Sequence, residues 1–285
     1  MKVTLQVLFV CLTAGIFLIS SCEKTVDTPD QVIVPEGITE FVDDFETESN
    51  DLSLLFPPDG SRWTTLQLIN TAGGNNQLAL TAERVSLGNQ SLSISSFGGN
   101  NPLSKTGIER GGFAAVAGQT ITIEADFYID SDANLRDLLL LDLECCSCWD
   151  PTVPDNKCPG VRLLMSGGND FLSIERGKIG GETLLQTSLP FPRREWVHVV
   201  WEMTLSPDEA TGHNRLIING QEVITETGMN MPDATILANA AAAEGISFTL
   251  PEPVFYERLQ IGVTANPRDL EVDLFVDNVR VQVRD

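Results

Sequence analysis

The sequence predicts an all-β protein, an antiparallel two-sheet sandwich with one short inserted helix. Three observations predict it. Short runs alternate apolar and polar residues, turns rich in Gly and Asn separate the runs, and a single window has the composition and caps of a helix. Strands of this kind are apolar on one face only, so two sheets must stack to hide those faces from water.

In chain order, FVDDFE (41–46) opens the domain. QSLSISSF (90–97) puts Leu92 and Ile94 on one face against Ser91, Ser93 and Ser95, and Gly98-Gly99-Asn100-Asn101-Pro102 ends it. QTITIEADFYI (119–129) repeats the alternation with Ile121, Ile123, Ala125 and Phe127. Gly167-Gly168-Asn169-Asp170 marks another turn. In EWVHVVWEMTL (195–205), Trp196 and Trp201 are an odd number of residues apart and must face opposite sides, so one of them belongs to the core. RLII and QEVI flank Asn219-Gly220, the dipeptide a two-residue turn with both φ positive prefers, which makes them one hairpin. ATILANAAAAEG (234–245) is the helix, capped by Asp233 and stopped by Gly245. RLQIGV (258–263) and LFVDNVRVQV (274–283) are the last strands.

The series REWVHVVWEMTLSPDEATGHNRLIINGQEV, a tryptophan strand followed by an Asn-Gly hairpin, resembles the concanavalin A-like jelly roll of the laminin G and polysaccharide lyase superfamily. FVDDFE and DLFVDNVRVQV resemble its opening and closing strands, and the resemblance covers residues 40 to 285. It implies a jelly-roll sandwich whose concave sheet cradles saccharide. It also implies a structural calcium pinning the two ends, for which Glu46 and Asp277 are the candidate ligands.

Ahead of the domain, residues 1–21 read as a secretory signal: one lysine, an apolar run from Val7 to Ile19, then small residues before Cys22. ISSC resembles a bacterial lipobox, which implies a lipid on Cys22 as the membrane anchor. Residues 22–39 then form a polar tether. Glu23, Asp27 and Asp30 resemble the acidic flank that directs some Bacteroidetes lipoproteins to the outer surface. The resulting expectation is a cell outer membrane lipoprotein, surface-exposed or periplasmic.

The formal net charge of −22 disfavours nucleic acid and bare anionic lipid, both of which need a basic face, and makes a strongly anionic polysaccharide a harder ligand. In an exported chain, Cys145, Cys146, Cys148 and Cys158 are expected to form two disulfides, with a zinc site as the rival. The pairing is open, but Cys145 and Cys146 point to opposite sides of an extended chain and should find different partners.

The preferred function is glycan binding for polysaccharide capture, with Trp149, Asp150, Trp196 and Glu109 as substrate-binding residues. Trp149 and Asp150 would be displayed by a loop that the disulfides order before binding. A polysaccharide lyase is the alternative: KTGIERGGF (105–113) loosely matches an Arg-x-Glu strand of such lyases, so Lys105 and Arg110 would meet a uronate. His198 would act as base, with Tyr128 or Tyr256 as donor. His213 reads as solvated. The hydrolase motif Glu-x-Asp-x-x-Glu is broken by Ile129 and Val276, which disfavours glycosidases of this fold. An adhesion module is the third option, and no motif calls for an organic cofactor.

Overall fold

The computed structural model describes residues 33–285 except 71–73, 100–102, 149–157, 167, 178–179 and 267–270. Residues 33–285 form one compact unit. Its strands are β1 (Glu40–Asp43), β2 (Thr65–Ile69), β3 (Gln77–Thr81), β4 (Ser91–Phe97), β5 (Ser104–Ala115), β6 (Thr120–Asp130), β7 (Leu138–Glu144) and β8 (Gly160–Ser166). They continue with β9 (Phe171–Gly177), β10 (Glu182–Pro190), β11 (Val197–Thr204), β12 (His213–Ile218), β13 (Gln221–Thr227), β14 (Tyr256–Asn266) and β15 (Glu271–Arg284).

Two antiparallel sheets result. The first has the order β13-β12-β11-β6-β15-β4-β3, with β1 also paired to β15. The second has the order β10-β9-β8-β7-β14-β5-β2. Long-range order comes from β15, which pairs with β6 along one edge and with β4 and then β1 along the other. The closing strand thus welds the opening strand to the middle of the chain.

Alternation places the core. Ile121, Ile123 and Phe127 of β6 meet Val197, Val199, Trp201 and Met203 of β11, and face Leu141, Leu143, Leu163, Leu259 and Ile261 of the second sheet. Trp201 is fully buried, whereas Trp196 is half-buried on the outside, as their odd spacing requires. Trp63 fills the core between Phe41 and Phe45.

Asn219 and Gly220 have φ of 49° and 78° and join β12 to β13, the predicted hairpin. The helix α1 spans Ala234–Ala243; Asp233 accepts from the Ile236 N–H at 2.8 Å, and Gly245 leaves the helix with φ +75°. Among the described residues no helix is long and apolar enough to cross a membrane.

Candidate functional site

Directly opposed residues of an antiparallel ladder share a face. On the second sheet this makes one row: Thr65 opposes Glu109, Glu109 opposes Gln260, Gln260 opposes Asp142, Asp142 opposes Arg162, Arg162 opposes Glu175, and Glu175 opposes Thr183. The flanking Ile108, Leu259, Ile261, Leu141, Leu143 and Ile174 all enter the core, so the row lies on the outer face. At one strand spacing per step, it is about 29 Å long.

Part of this face is desolvated. Glu109 and Glu144 are each 1 % exposed and Gln260 is 2 % exposed. Arg258 sits between the two glutamates, with Nη1 3.0 Å from Glu109 Oε2 and Nε 3.4 Å from Glu144 Oε2. Gln260 Nε2 donates to Glu144 Oε2 at 2.7 Å, and Gln67 Nε2 donates to Glu109 Oε1. Burial alone would lower the Arg258 pKa, but Glu109, Glu144 and Glu257 outweigh it and hold the guanidinium charged. Arg162 pairs with Asp142 at 3.4 Å. It crosses a place where a Cβ on Gly177 would lie 2.5 Å from its Nε, so a side chain there would displace it.

One end of the face opens into a cleft of about 510 Å³ lined by Thr65, Glu109, Phe113, Phe255, Glu257 and Arg258. That volume suits a sugar ring or two with its hydroxyls. The cysteine segment borders the cleft. Cys145 pairs with Cys148 and Cys146 with Cys158. The first bridge joins the core. The second lies outside, where the Arg258 guanidinium touches Cys146 Sγ and comes within 3.8 Å of Cys158 Sγ. The Ser147 N–H also donates to Glu257 Oε1. The extended chain sends neighbouring cysteines to opposite sides, and so one disulfide staples core and the other staples the cleft wall.

The structure separates the candidates named from sequence. Lys105 and Glu109 lie on β5 of the second sheet and point outward. Arg110, on the same strand, turns inward: its guanidinium stands 5.0 Å over the Phe41 ring, Nη1 donates to the Gly60 carbonyl, and burial lowers its pKa. His198, Tyr128 and Trp196 belong to the outer face of the first sheet, on the far side of the sandwich. The lyase constellation of His198 with the 105–110 segment therefore does not converge, because β5 and β11 are in different sheets.

On its own face, His198 Nδ1 lies 2.7 Å from Asp126 Oδ1, and Tyr128 packs against Trp196, Phe275 and the Arg84 guanidinium. Arg84 is in turn held by Asp130. Tyr256 is buried inside the sandwich, donating to the Asn230 carbonyl at 2.6 Å, and burial pushes its pKa well up. Trp149 and Asp150 lie outside the described residues, as does Cys22.

Glu46 accepts the N–H groups of Asn89 and Gln90, and Asp277 accepts those of Ser86 and Leu87, so both grip the 86–90 loop. Glu144, Cys146 and Cys158 come close enough together for a metal, but both sulfurs are in a disulfide and offer no thiolate. Sequence reasoning missed Gln260, Arg258, Glu144 and Asp142. The only available signal was that polar residues recur at every second position in LLDLE and RLQIG.

No family model and no curated protein matches this sequence. Solved structures do match it. The endo-β-1,4-glucuronan lyase of the fungus Trichoderma reesei superposes with a TM-score of 0.61 at 12 % identity, over 86 % of this chain and 95 % of that one. The two sheets thus have the arrangement of a jelly-roll sandwich. Alginate lyase Aly36B gives a TM-score of 0.53 at 10 % identity, over 87 % of this chain and 98 % of that one. The marine PL-14 alginate lyase of Aplysia kurodai gives 0.53 at 11 % identity, over 86 % and 99 %. At such identities the likeness is one of fold, and the jelly roll's chemistry must come from its own residues.

Proposed function

We propose that this protein binds a glycan chain along the outer face of the second sheet, as the capture component of a cell envelope. One observation carries this reading: a row of polar side chains crosses all seven strands, its centre already desolvated, and ends in a cleft of sugar size. A linear face running across the strands suits an extended polymer, and side chains held by each other need little ordering when the ligand arrives.

The fold likeness to glucuronan and alginate lyases favours the second reading, β-elimination on a uronate. The chain has only two histidines and two tyrosines, and all four lie away from this face. A lyase here would have to draw its base from Glu144, Glu109 or Lys105. Retention on a panel of neutral and uronic polysaccharides, read together with ultraviolet absorbance, separates the cases. Binding without new absorbance is expected; rising absorbance would establish a lyase, and absence of both would move the function to a protein partner.

We also propose that a lipid on Cys22 holds the domain at the outer membrane, on the lipobox-like ISSC and the signal-like residues before it. Cys22→Ser should move the protein from the membrane fraction to the soluble fraction. If the wild type is soluble as well, the anchor is ruled out.

A further inference from the structure

The second sheet is finished differently at its two ends. On one flank it ends in β10, which carries Glu182 and Pro190, beside β13 of the first sheet, which carries Glu222 and Glu226. Charge and proline are the usual means of keeping an edge strand from pairing with another chain. At the other end, β2 is TLQLI, and residues 63–82 hold no charged side chain in a chain of net charge −22. Among the described residues β2 pairs with β5 alone, so one edge of its backbone meets no strand. Leu66, Leu68 and Ile69 are 43 %, 42 % and 41 % exposed, and Leu103, just before β5, is exposed as well.

Two features identify the occupant of this edge. A second copy carries the same charge of −22, and here neither copy brings a charged side chain to the contact. The strand is also complementary to itself. In an antiparallel pair centred on Gln67, Leu66 of one copy lies opposite Leu68 of the other, Thr65 opposite Ile69, and Gln67 opposite its counterpart. The leucines of both copies then share the inner face and cover each other.

We propose that two copies of this chain dimerise through β2, which joins their second sheets into one across a two-fold axis at Gln67. A five-residue strand pair is at the small end of specific interfaces, so the dimer dissociates in the micromolar range. Both polar outer faces then look to the same side, and one polymer can engage both; this consequence rests on the binding reading above.

Sedimentation of the full chain carrying Cys22→Ser, from about 1 to about 200 µM, should show monomer passing to dimer. Leu68→Lys sets a charge against Leu66 of the other copy and should leave a monomer throughout, with circular dichroism as wild type. Gln67→Cys decides the matter if Leu68→Lys does not fold. Directly opposed Cβ atoms lie about 5 Å apart, so oxidation should link two copies, whereas Leu87→Cys, 71 % exposed on the 86–90 loop, should not link them. A monomer at every concentration would overturn the proposal and leave the edge to a different chain. A dimer that survives folded Leu68→Lys, or equal cross-linking through position 87, would overturn it too. A long polysaccharide should bind wild type at least about tenfold more tightly than Leu68→Lys, and a short oligosaccharide should bind both equally. A dimer that binds no glycan would overturn the binding reading and leave the interface standing.

Discussion

The two sheets share one apolar core but treat their outward charges differently. On the first, Arg280 and Glu40 pair at 2.9 Å with side chains 42 % and 55 % exposed, and Arg215 with Glu222 is similarly wet. On the second, Arg258 reaches Glu109 at 3.0 Å, but the carboxylate is 1 % exposed. A wet pair contributes little and costs little, whereas a desolvated pair must recover several kcal/mol per ion through geometry and extra hydrogen bonds. A sandwich needs only the inner faces for stability. The desolvated polar face of the second sheet is therefore expensive in folding terms, which fits the binding role proposed for it.

The sharpest break of that contrast is Arg258→Met against Arg280→Met. Removing Arg258 leaves Glu109 and Glu144 buried without their cation, and a loss of about 3–5 kcal/mol is expected. Removing Arg280 strips an exposed partner from Glu40 and should leave stability close to wild type. Urea titration of both variants measures the difference. Equal losses would mean that the two faces are electrostatically alike and would remove the argument for a special second sheet.

The same contrast governs what could be read from sequence. In the first sheet, TITIEADF and VHVVWEM alternate cleanly because one side meets core and the other meets water, so β4, β6, β11, β12, β13 and β15 were legible. Of the second sheet only β14 stood out as a strand by pattern. In β7, LLLLDLE is buried at every position, and in β5, SKTGIERGGFAA carries three glycines, so neither shows a wet face. A face of packed carboxylates, amides and guanidiniums breaks the expected polarity pattern. The missed residues Asp142, Glu144, Arg258 and Gln260 accordingly make up most of the candidate site, beside Glu109, which the sequence did single out. The odd spacing of Trp196 and Trp201, and the opposed sides of Cys145 and Cys146, were legible because they follow from strand geometry alone. The separation of Lys105 from His198 was not, because nothing local says which of two sheets a strand joins.

The first sheet also holds buried carboxylates, Asp43, Asp126 and Asp277, and Asp277 gives a smaller and more specific prediction. Asp277 is fully buried beneath the 86–90 loop. Burial raises its pKa from the ordinary 3.8 to about 6, opposed by the N–H groups of Leu87, Ser86 and Asn278 and assisted by the neighbouring Asp126. Asp126 in turn holds the Ser86 hydroxyl, the Asn278 amide and His198 Nδ1. Between pH 3.8 and about 6 the native state keeps a proton that the unfolded chain releases, so this group's contribution favours folding at low pH and is lost as pH rises through about 6. The native state must then ionise a buried acid beside another carboxylate. Asp277→Asn removes that ionisation. The melting temperature of wild type minus variant should fall as pH goes from 4 to 7, by an amount corresponding to about 3 kcal/mol in stability. A difference that is flat with pH would place the Asp277 pKa near its ordinary value.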